Sequence, residues 1–292
     1  MSNNRKAILI ALLAVTLWST AATAFKIALE NLDFMNLLLN SSITSTVILL
    51  IIVLVRKEAS SLFERRALIN SAVLGFLNPF LYYMILLKAY SLLPAQIAQP
   101  LNYLWPVMLA LLAVPFLGQK LKISSVIGLI VSFTGVAIIS QQGKWLQVER
   151  SDLTGIFLAS GSSIIWALYW LFNLRDKRND SPRLFMNFLF GTIYITIYIL
   201  FFHEFQNPVS KGGLAAVYVG FFEMGFTFYL WMSALQMAKS AARISNLVFL
   251  SPFLSLIFIH FVLKEDIFIT TLPGIILILA GIMFSGMVKD NK

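Results

Sequence analysis

Ten apolar stretches, each about long enough to cross a bilayer as a helix, constrain this fold more than any other feature of the sequence. They cover residues 8–28, 35–55, 68–87, 95–117, 124–141, 153–173, 184–203, 213–236, 241–263 and 270–288. A helix rises about 1.5 Å per residue, so about 20 residues cross a hydrocarbon layer of about 30 Å. The stretches lack the ten-residue alternation of an outer-membrane β-barrel. The sequence therefore predicts an all-α membrane protein with ten transmembrane helices.

The composition agrees with residence in lipid. The chain is 59% hydrophobic and 12% charged, whereas soluble domains are about 45–50% apolar and about 25% charged. The net charge of +9 could suggest a nucleic-acid partner, but the basic residues form short clusters between apolar stretches and not one continuous face. We therefore expect a lipid bilayer around the chain and no nucleic-acid partner.

The distribution of basic residues predicts the orientation in the membrane. Sixteen of the 22 Lys and Arg residues lie on the same side of the membrane as the N-terminus, given the predicted spans, and six lie on the opposite side. Because loops rich in Lys and Arg stay in the cytoplasm, both termini are expected to be cytoplasmic. This orientation requires an even number of spans, which ten satisfies. The expected location is the bacterial inner membrane, as a multi-pass protein.

An internal repeat divides the chain into two halves. Shifts of 145 to 148 residues superimpose like residues, in the pairs Gly75 and Gly220, Trp18 and Trp166, Pro106 and Pro252, Gly128 and Gly274, and Gly135 and Gly281. The halves are residues 1–145 and 150–292, with five predicted spans each. Because five is odd, the second half must enter the membrane from the other face. The fold expected is thus two inverted five-helix repeats, an architecture of many secondary transporters.

Glu223 is the only acidic residue near the middle of a predicted span. Lipid disfavours a charged side chain by about 2.5–3.5 kcal/mol, so this carboxyl group should face a cavity or a partner. A shift of 145 residues places Asn78 on Glu223, so both halves carry a polar group at similar depth. Glu223 is predicted to bind a substrate amine or relay a proton; the alternative is a neutral carboxyl group hydrogen-bonded to another helix.

Other polar and aromatic residues share helical faces with these two. The predicted substrate-binding residues are Trp18, Asn78, Tyr82, Gln99, Asn102, Tyr103, Trp166, Tyr169, Glu223, Thr227 and Trp231. Aromatic rings among amide and carboxyl groups suit a flat, partly apolar ligand with a polar head. Pro106 and Pro252 are predicted hinges, because proline frees a backbone carbonyl within a helix.

Two further patterns concern packing and catalysis. Small residues at Gly128, Ser132 and Gly135 in the fifth span, and at Gly274, Gly281 and Ser285 in the tenth, form stripes that predict close helix packing. The sequence has no H-E-x-x-H, G-x-S-x-G or P-loop motif. We therefore expect no enzyme, no metal site and no cofactor.

Several short motifs resemble the EamA family of the drug/metabolite transporter superfamily over nearly the whole chain. They are Leu17-Trp18-Ser19-Thr20, Asn102-Tyr103-Leu104-Trp105-Pro106, Gly118-Gln119-Lys120 before the Gly128 and Gly135 helix, and Ile165-Trp166-Ala167. The second and third are similar to the bacterial aromatic amino acid exporters of that family. The resemblance implies alternating access around a central cavity formed mainly by spans 1, 3, 4, 6, 8 and 9. Glu223 does not map onto a residue of those exporters.

Together these features predict a secondary transporter that exports small amphipathic metabolites, with aromatic or other hydrophobic amino acids and related compounds as the favoured class. A proton-coupled antiporter of another substrate class is one alternative. A non-transporting membrane enzyme and a structural subunit are two others. The oligomeric state is not specified by the sequence.

Overall fold

We describe the fold from a computed structural model of the chain. It describes residues 3–59, 62, 65–118, 123–140, 150–173, 176, 178–238, 244 and 246–287. Many of the basic residues behind the predicted orientation lie outside these residues, namely Lys120, Lys122, Lys144, Arg175, Lys177, Lys239, Arg243, Lys289 and Lys292. The ends of both predicted repeats, at 141–145 and 288–292, lie outside them as well.

The described chain is helical and contains no strand. The helices of the first half are α1 (Asn3–Ser19), α2 (Ala21–Leu29), α3 (Phe34–Val55), α4 (Arg65–Gly75), α5 (Tyr82–Leu92), α6 (Ala95–Asn102), α7 (Trp105–Leu117) and α8 (Ile123–Ser140). Those of the second half are α9 (Arg150–Asn173), α10 (Asp180–Phe202), α11 (Lys211–Tyr218), α12 (Phe226–Met237), α13 (Ser251–Phe258) and α14 (Thr271–Met287). Short π-helical segments occupy Phe76–Leu81, Val219–Gly225 and Ile259–Leu263, and a 3₁₀ segment occupies Asn246–Leu250.

Seven of the described helical stretches are long and apolar enough to cross a membrane: Asn4–Leu29, Phe34–Val55, Ala67–Leu92, Ala95–Phe116, Asp152–Asn173, Asp180–Phe202 and Lys211–Met237. Three shorter apolar stretches overlap the remaining three predicted spans, at Val126–Ile139, Leu247–Leu263 and Thr271–Phe284. Each predicted span thus coincides with an apolar helical stretch, and the prediction of an all-helical membrane protein is confirmed. The exact number of ten crossings stays a prediction.

Contacts between the halves follow the spacing of the repeat. The hydroxyl groups of Thr46 and Thr192, which are 146 positions apart, lie 3.0 Å from each other between α3 and α10. The hydroxyl group of Ser132 in α8 donates to the carbonyl of Ile278 in α14, also 146 positions away, at 3.2 Å. Helices α1 and α12 pack together, as do α5 and α9. Each half therefore completes its packing with helices of the other half.

The predicted close packing of the small-residue helices is confirmed. A Cβ atom placed on Gly135 of α8 would lie 2.6 Å from the carbonyl oxygen of Gly274 in α14. A Cβ atom on Gly281 would meet the carbonyl oxygen of Gly128 in the same way. Because lipid gives no hydrophobic drive for helix association, such close backbone approach is what holds this pair together.

Four of the helical stretches are broken at corresponding places in the two halves. Asn78 has the non-helical dihedrals φ −149° and ψ 121° within the π-helical segment that precedes α5, and Gly225 has φ −98° and ψ −85° just before α12. Pro106 and Pro252 lie in the first turns of α7 and α13, directly after breaks in their stretches. Breaks of this kind free backbone groups near the middle of the fold.

Candidate substrate-binding cavity

A cavity lies between the two halves, near the middle of the helical stretches. Its empty space, including the open solvent at its mouth, is about 680 Å³. It is lined by Trp18, Ala21, Ala22, Phe25, Tyr82, Leu86, Tyr90, Gln99, Asn102, Tyr103, Trp105, Trp166, Trp170, Glu223, Phe228, Trp231 and Val248. Ten of these seventeen residues are aromatic. A mostly aromatic pocket with a few polar groups is the usual composition of a small-molecule site.

The aromatic rings form a continuous wall that crosses from one half to the other. The ring of Tyr82 lies 4.6 Å from that of Trp166, measured between centroids. Trp166 contacts Phe228 at 5.6 Å, Phe228 contacts Trp18 at 6.0 Å, and Trp18 contacts Trp231 at 5.2 Å. Packed rings hold one another in place, so the wall offers a flat ligand several fixed π surfaces.

Glu223 supplies the carboxyl group of the cavity. Its Oε1 atom accepts a hydrogen bond of 3.1 Å from the hydroxyl group of Tyr83. Its Oε2 atom is buried and has no hydrogen-bond partner among the described residues. The indole Nε1 of Trp18 donates to the backbone carbonyl of Glu223 at 3.2 Å. The side chain is therefore held on one oxygen, and the other oxygen can accept a hydrogen bond from a ligand.

A second polar group of the cavity is built around Asn102. Its Oδ1 atom accepts from the hydroxyl group of Tyr82 at 3.0 Å, and its Nδ2 atom donates to Ser162 at 2.8 Å. Ser162 in turn donates to the carbonyl of Ala159 at 2.6 Å. These three hydrogen bonds fix the orientation of the Asn102 amide and link α5 and α6 to α9.

Eight of the eleven predicted binding residues line the cavity: Trp18, Tyr82, Gln99, Asn102, Tyr103, Trp166, Glu223 and Trp231. Asn78 and Tyr169 do not; both are fully buried behind the wall. Thr227 is also buried and donates to the carbonyl of Phe222 in the preceding π-helical segment. The two predicted hinges lie outside the cavity lining, at the starts of α7 and α13.

Nine lining residues are not among the predicted binding residues: Ala21, Ala22, Phe25, Leu86, Tyr90, Trp105, Trp170, Phe228 and Val248. Some of them carried a usable signal. Trp170 follows Trp166 by one helical turn, and Leu86 and Tyr90 follow Tyr82 by one and two turns. Ala21 and Ala22 only make room, and nothing in their sequence context marks such a role.

Hydrogen bonds tie the halves together at both ends of the fold. At the end opposite the N-terminus, buried Gln96 donates to the backbone carbonyl of Asp266 at 2.8 Å, and Glu265 accepts from the amide of residue 95 at 3.3 Å. At the N-terminal end, Arg56 donates to the hydroxyl group of Tyr229 at 3.0 Å. This bond helps to hold the pKa of Arg56 above its ordinary value. The cavity thus lies between two layers of contacts that link the halves.

Comparison with known proteins places the chain among transporters. A family model described as the EamA-like transporter family matches residues 5–141 and again residues 153–287. An uncharacterized transporter of Archaeoglobus fulgidus is 25% identical over 285 residues, which cover 92% of this chain and 95% of that protein. The uncharacterized transporter YvbV of Bacillus subtilis is 24% identical over 214 residues, which cover 72% and 69%. Both matches extend over most of the fold.

Two further comparisons concern a named substrate and the fold. The aromatic amino acid exporter YddG of Ancylobacter novellus is 24% identical over 154 residues, which cover 52% of this chain and 53% of that protein. A crystal structure of another protein superimposes with a TM-score of 0.70 at 19% identity, covering 97% of this chain and 96% of the other. At that identity the superposition establishes a shared fold alone.

Proposed function

Because the chain belongs to the EamA-like transporter family, within the drug/metabolite transporter superfamily, we propose that it carries small amphipathic molecules across the membrane by alternating access to the central cavity. The observation that carries this proposal is the cavity itself. It lies between the two halves of the chain, and residues of both halves line it. In transporters with inverted repeats, rocking of one half against the other exposes such a site to each side in turn.

The proposed topology has ten spans in two inverted repeats, residues 1–145 and 150–292, with both termini in the cytoplasm of a bacterium. The two family matches and the distribution of Lys and Arg support it. Because the chain has no cysteine, single cysteines can be introduced and labelled from outside intact cells. Positions 5 and 292 should stay unlabelled, and labelling of either would overturn the orientation.

For the substrate, we propose aromatic or other hydrophobic amino acids and related compounds that carry an amino group. The aromatic wall and Glu223 support this class, and so does the likeness to an exporter of aromatic amino acids. The eight predicted residues that line the cavity would hold the substrate. Pro106 and Pro252, at corresponding breaks, would act as hinges between the two access states.

Flux into proteoliposomes tests this function. Purified protein should exchange at least one labelled aromatic amino acid or amine across the vesicle membrane, and protein-free vesicles should not. Movement of no solute under any gradient would contradict a transporter and leave the structural subunit. Chemical conversion of a solute without movement would favour a membrane enzyme.

For energy coupling, we propose facilitated diffusion or exchange. Glu223 is the single carboxyl group among the described lining residues, and its repeat partner Asn78 cannot take up a proton. The competing mechanism is proton-coupled antiport, in which Glu223 exchanges a proton for a cationic group of the substrate. If wild-type vesicles concentrate substrate under an imposed pH difference and Glu223→Gln vesicles do not, antiport is correct.

A further inference from the structure

The charge inventory of the cavity is one-sided. Glu223 contributes a carboxyl group, and no Lys, Arg or His is present among the described lining residues. The basic side chain that approaches from the same helical stretch as Trp18 is Lys26. Its ammonium group donates to the backbone carbonyls of Tyr90 and Leu93, each at 3.1 Å, and it lines two other pockets beside Glu265. The described lining therefore offers a carboxyl group, which can pair with a cation, and no basic group.

The aromatic wall strengthens this preference for positive charge. A cation that lies over the face of a Trp, Tyr or Phe ring is attracted by the quadrupole of the ring, and Trp is the best of the three. Five of the lining residues are Trp and three are Tyr. An ammonium group at the unpartnered Oε2 atom of Glu223 would thus have both a carboxyl group and π faces around it.

A carboxylate on the substrate would find no equivalent partner. Several uncharged donors that could hold it are already used within the protein: Trp18 donates to the carbonyl of Glu223, Tyr82 to Asn102, and Asn102 to Ser162. A buried charge without a partner is strongly unfavourable. A zwitterionic amino acid bound at Glu223 would meet only uncharged donors for its carboxylate among the described lining residues, such as the unpartnered indole Nε1 of Trp170, whereas an amine brings no carboxylate.

We propose that the cavity selects organic cations, namely small aromatic molecules with one ammonium group and no carboxylate, over the corresponding amino acids. This inference rests on the proposed transport function and narrows its substrate class. Glu223 receives the ammonium group, and the wall formed by Trp18, Trp166 and Phe228 receives the aromatic ring.

Binding of four phenyl compounds to the purified full-length protein in lipid nanodiscs tests this proposal. The compounds are 2-phenylethylamine, phenylalanine, 3-phenylpropionate and 2-phenylethanol, which carry an ammonium group, both charges, a carboxylate and no charge. We expect wild-type protein to bind the amine at least about tenfold more tightly than phenylalanine, and 3-phenylpropionate most weakly. Isothermal titration calorimetry at neutral pH measures all four affinities.

Glu223→Gln should remove the preference, because glutamine keeps the shape of the side chain without its charge. The amine should then bind at least about tenfold more weakly, close to 2-phenylethanol. Glu58→Gln is the matched control, since it makes the same change outside the cavity lining, at the N-terminal end of the fold. It should leave the affinity for the amine within about twofold.

Phenylalanine binding as tightly as the amine in wild-type protein would overturn the selectivity proposal and leave the proposed transport function intact. A preference for the amine that persists in folded Glu223→Gln protein would also overturn it. Binding of none of the four compounds would contradict both proposals. The wild-type series decides the question even if Glu223→Gln does not fold.

Discussion

The surroundings of Glu223 and those of Asn78 occupy corresponding positions in the two repeats, yet only Glu223 faces the cavity. Both residues lie in π-helical segments, at Val219–Gly225 and Phe76–Leu81. Asn78 is fully buried, and neither atom of its side-chain amide has a hydrogen-bond partner among the described residues. The repeat thus places a polar group at the same depth twice, and only one of the two can meet a ligand.

The side chains around each position account for the difference. The large ring of Tyr169 lies near Asn78, and the buried amide of Asn187 lies beside it. At the position of Tyr169, a shift of 148 residues gives Ala21, which lines the cavity near Glu223. A large buried residue therefore stands beside Asn78 at the position where the other half has a cavity-lining alanine. The symmetry of the backbone therefore does not extend to the binding site.

The largest effect expected from the comparison is on stability, where the halves should behave alike. A Cβ atom on Gly75 would collide with the carbonyl oxygen of Asn187, and one on Gly220 with that of Ser41. Gly75→Ala and Gly220→Ala should each lower the free energy of unfolding by about 1–3 kcal/mol, because backbone atoms must move apart. Thermal unfolding in detergent measures both.

Gly161→Ala is the control for these two variants, since a Cβ atom there meets nothing within 4 Å. It should be neutral or slightly stabilising, because alanine favours helix over glycine. If Gly75→Ala left the free energy of unfolding unchanged while Gly220→Ala lowered it, the claim that the two halves pack equally closely at these glycines would be wrong.

Much of this framework could be predicted from the sequence. The length of the apolar stretches predicts the helical fold. The acidic residue Glu223 within a span, and the polar and aromatic residues on helical faces of the spans, predict eight cavity residues, because an acid within an apolar stretch is rare and can be recognised locally. The break at Asn78 could not be predicted from a helical face, which assumes an uninterrupted helix. Thr227 lies outside the cavity lining for a related reason: the break at Gly225 separates it from Glu223, so a face counted along one uninterrupted helix does not apply to it.

The second effect concerns ligand binding, where the halves should differ. Asn78→Val should leave the affinity for 2-phenylethylamine within about twofold, because Asn78 lies outside the cavity lining. The extended backbone at this position accepts a β-branched residue. Glu223→Gln should lose about tenfold or more in the same assay. Equal losses in both variants would mean that Asn78 takes part in binding.

The smallest effect separates two neighbouring tyrosines. Tyr83→Phe removes the donor to Glu223, so the affinity for the amine should change by about fivefold, equivalent to about 1 kcal/mol. Tyr82→Phe leaves that hydrogen bond in place and removes the donor to Asn102. In Glu223→Gln protein the effect of Tyr83→Phe should shrink, as a double-mutant cycle would measure. Additive effects of the two changes would show that Tyr83 does not act through Glu223.

The most direct test of the central claim is an experimental structure of the protein with 2-phenylethylamine bound. We expect density for one ligand in the central cavity, with its ammonium nitrogen within hydrogen-bonding distance of Glu223 Oε2 and its ring against Trp166 or Trp18. Ligand density beside Asn78, or in the cavity with the ammonium group turned away from Glu223, would contradict it.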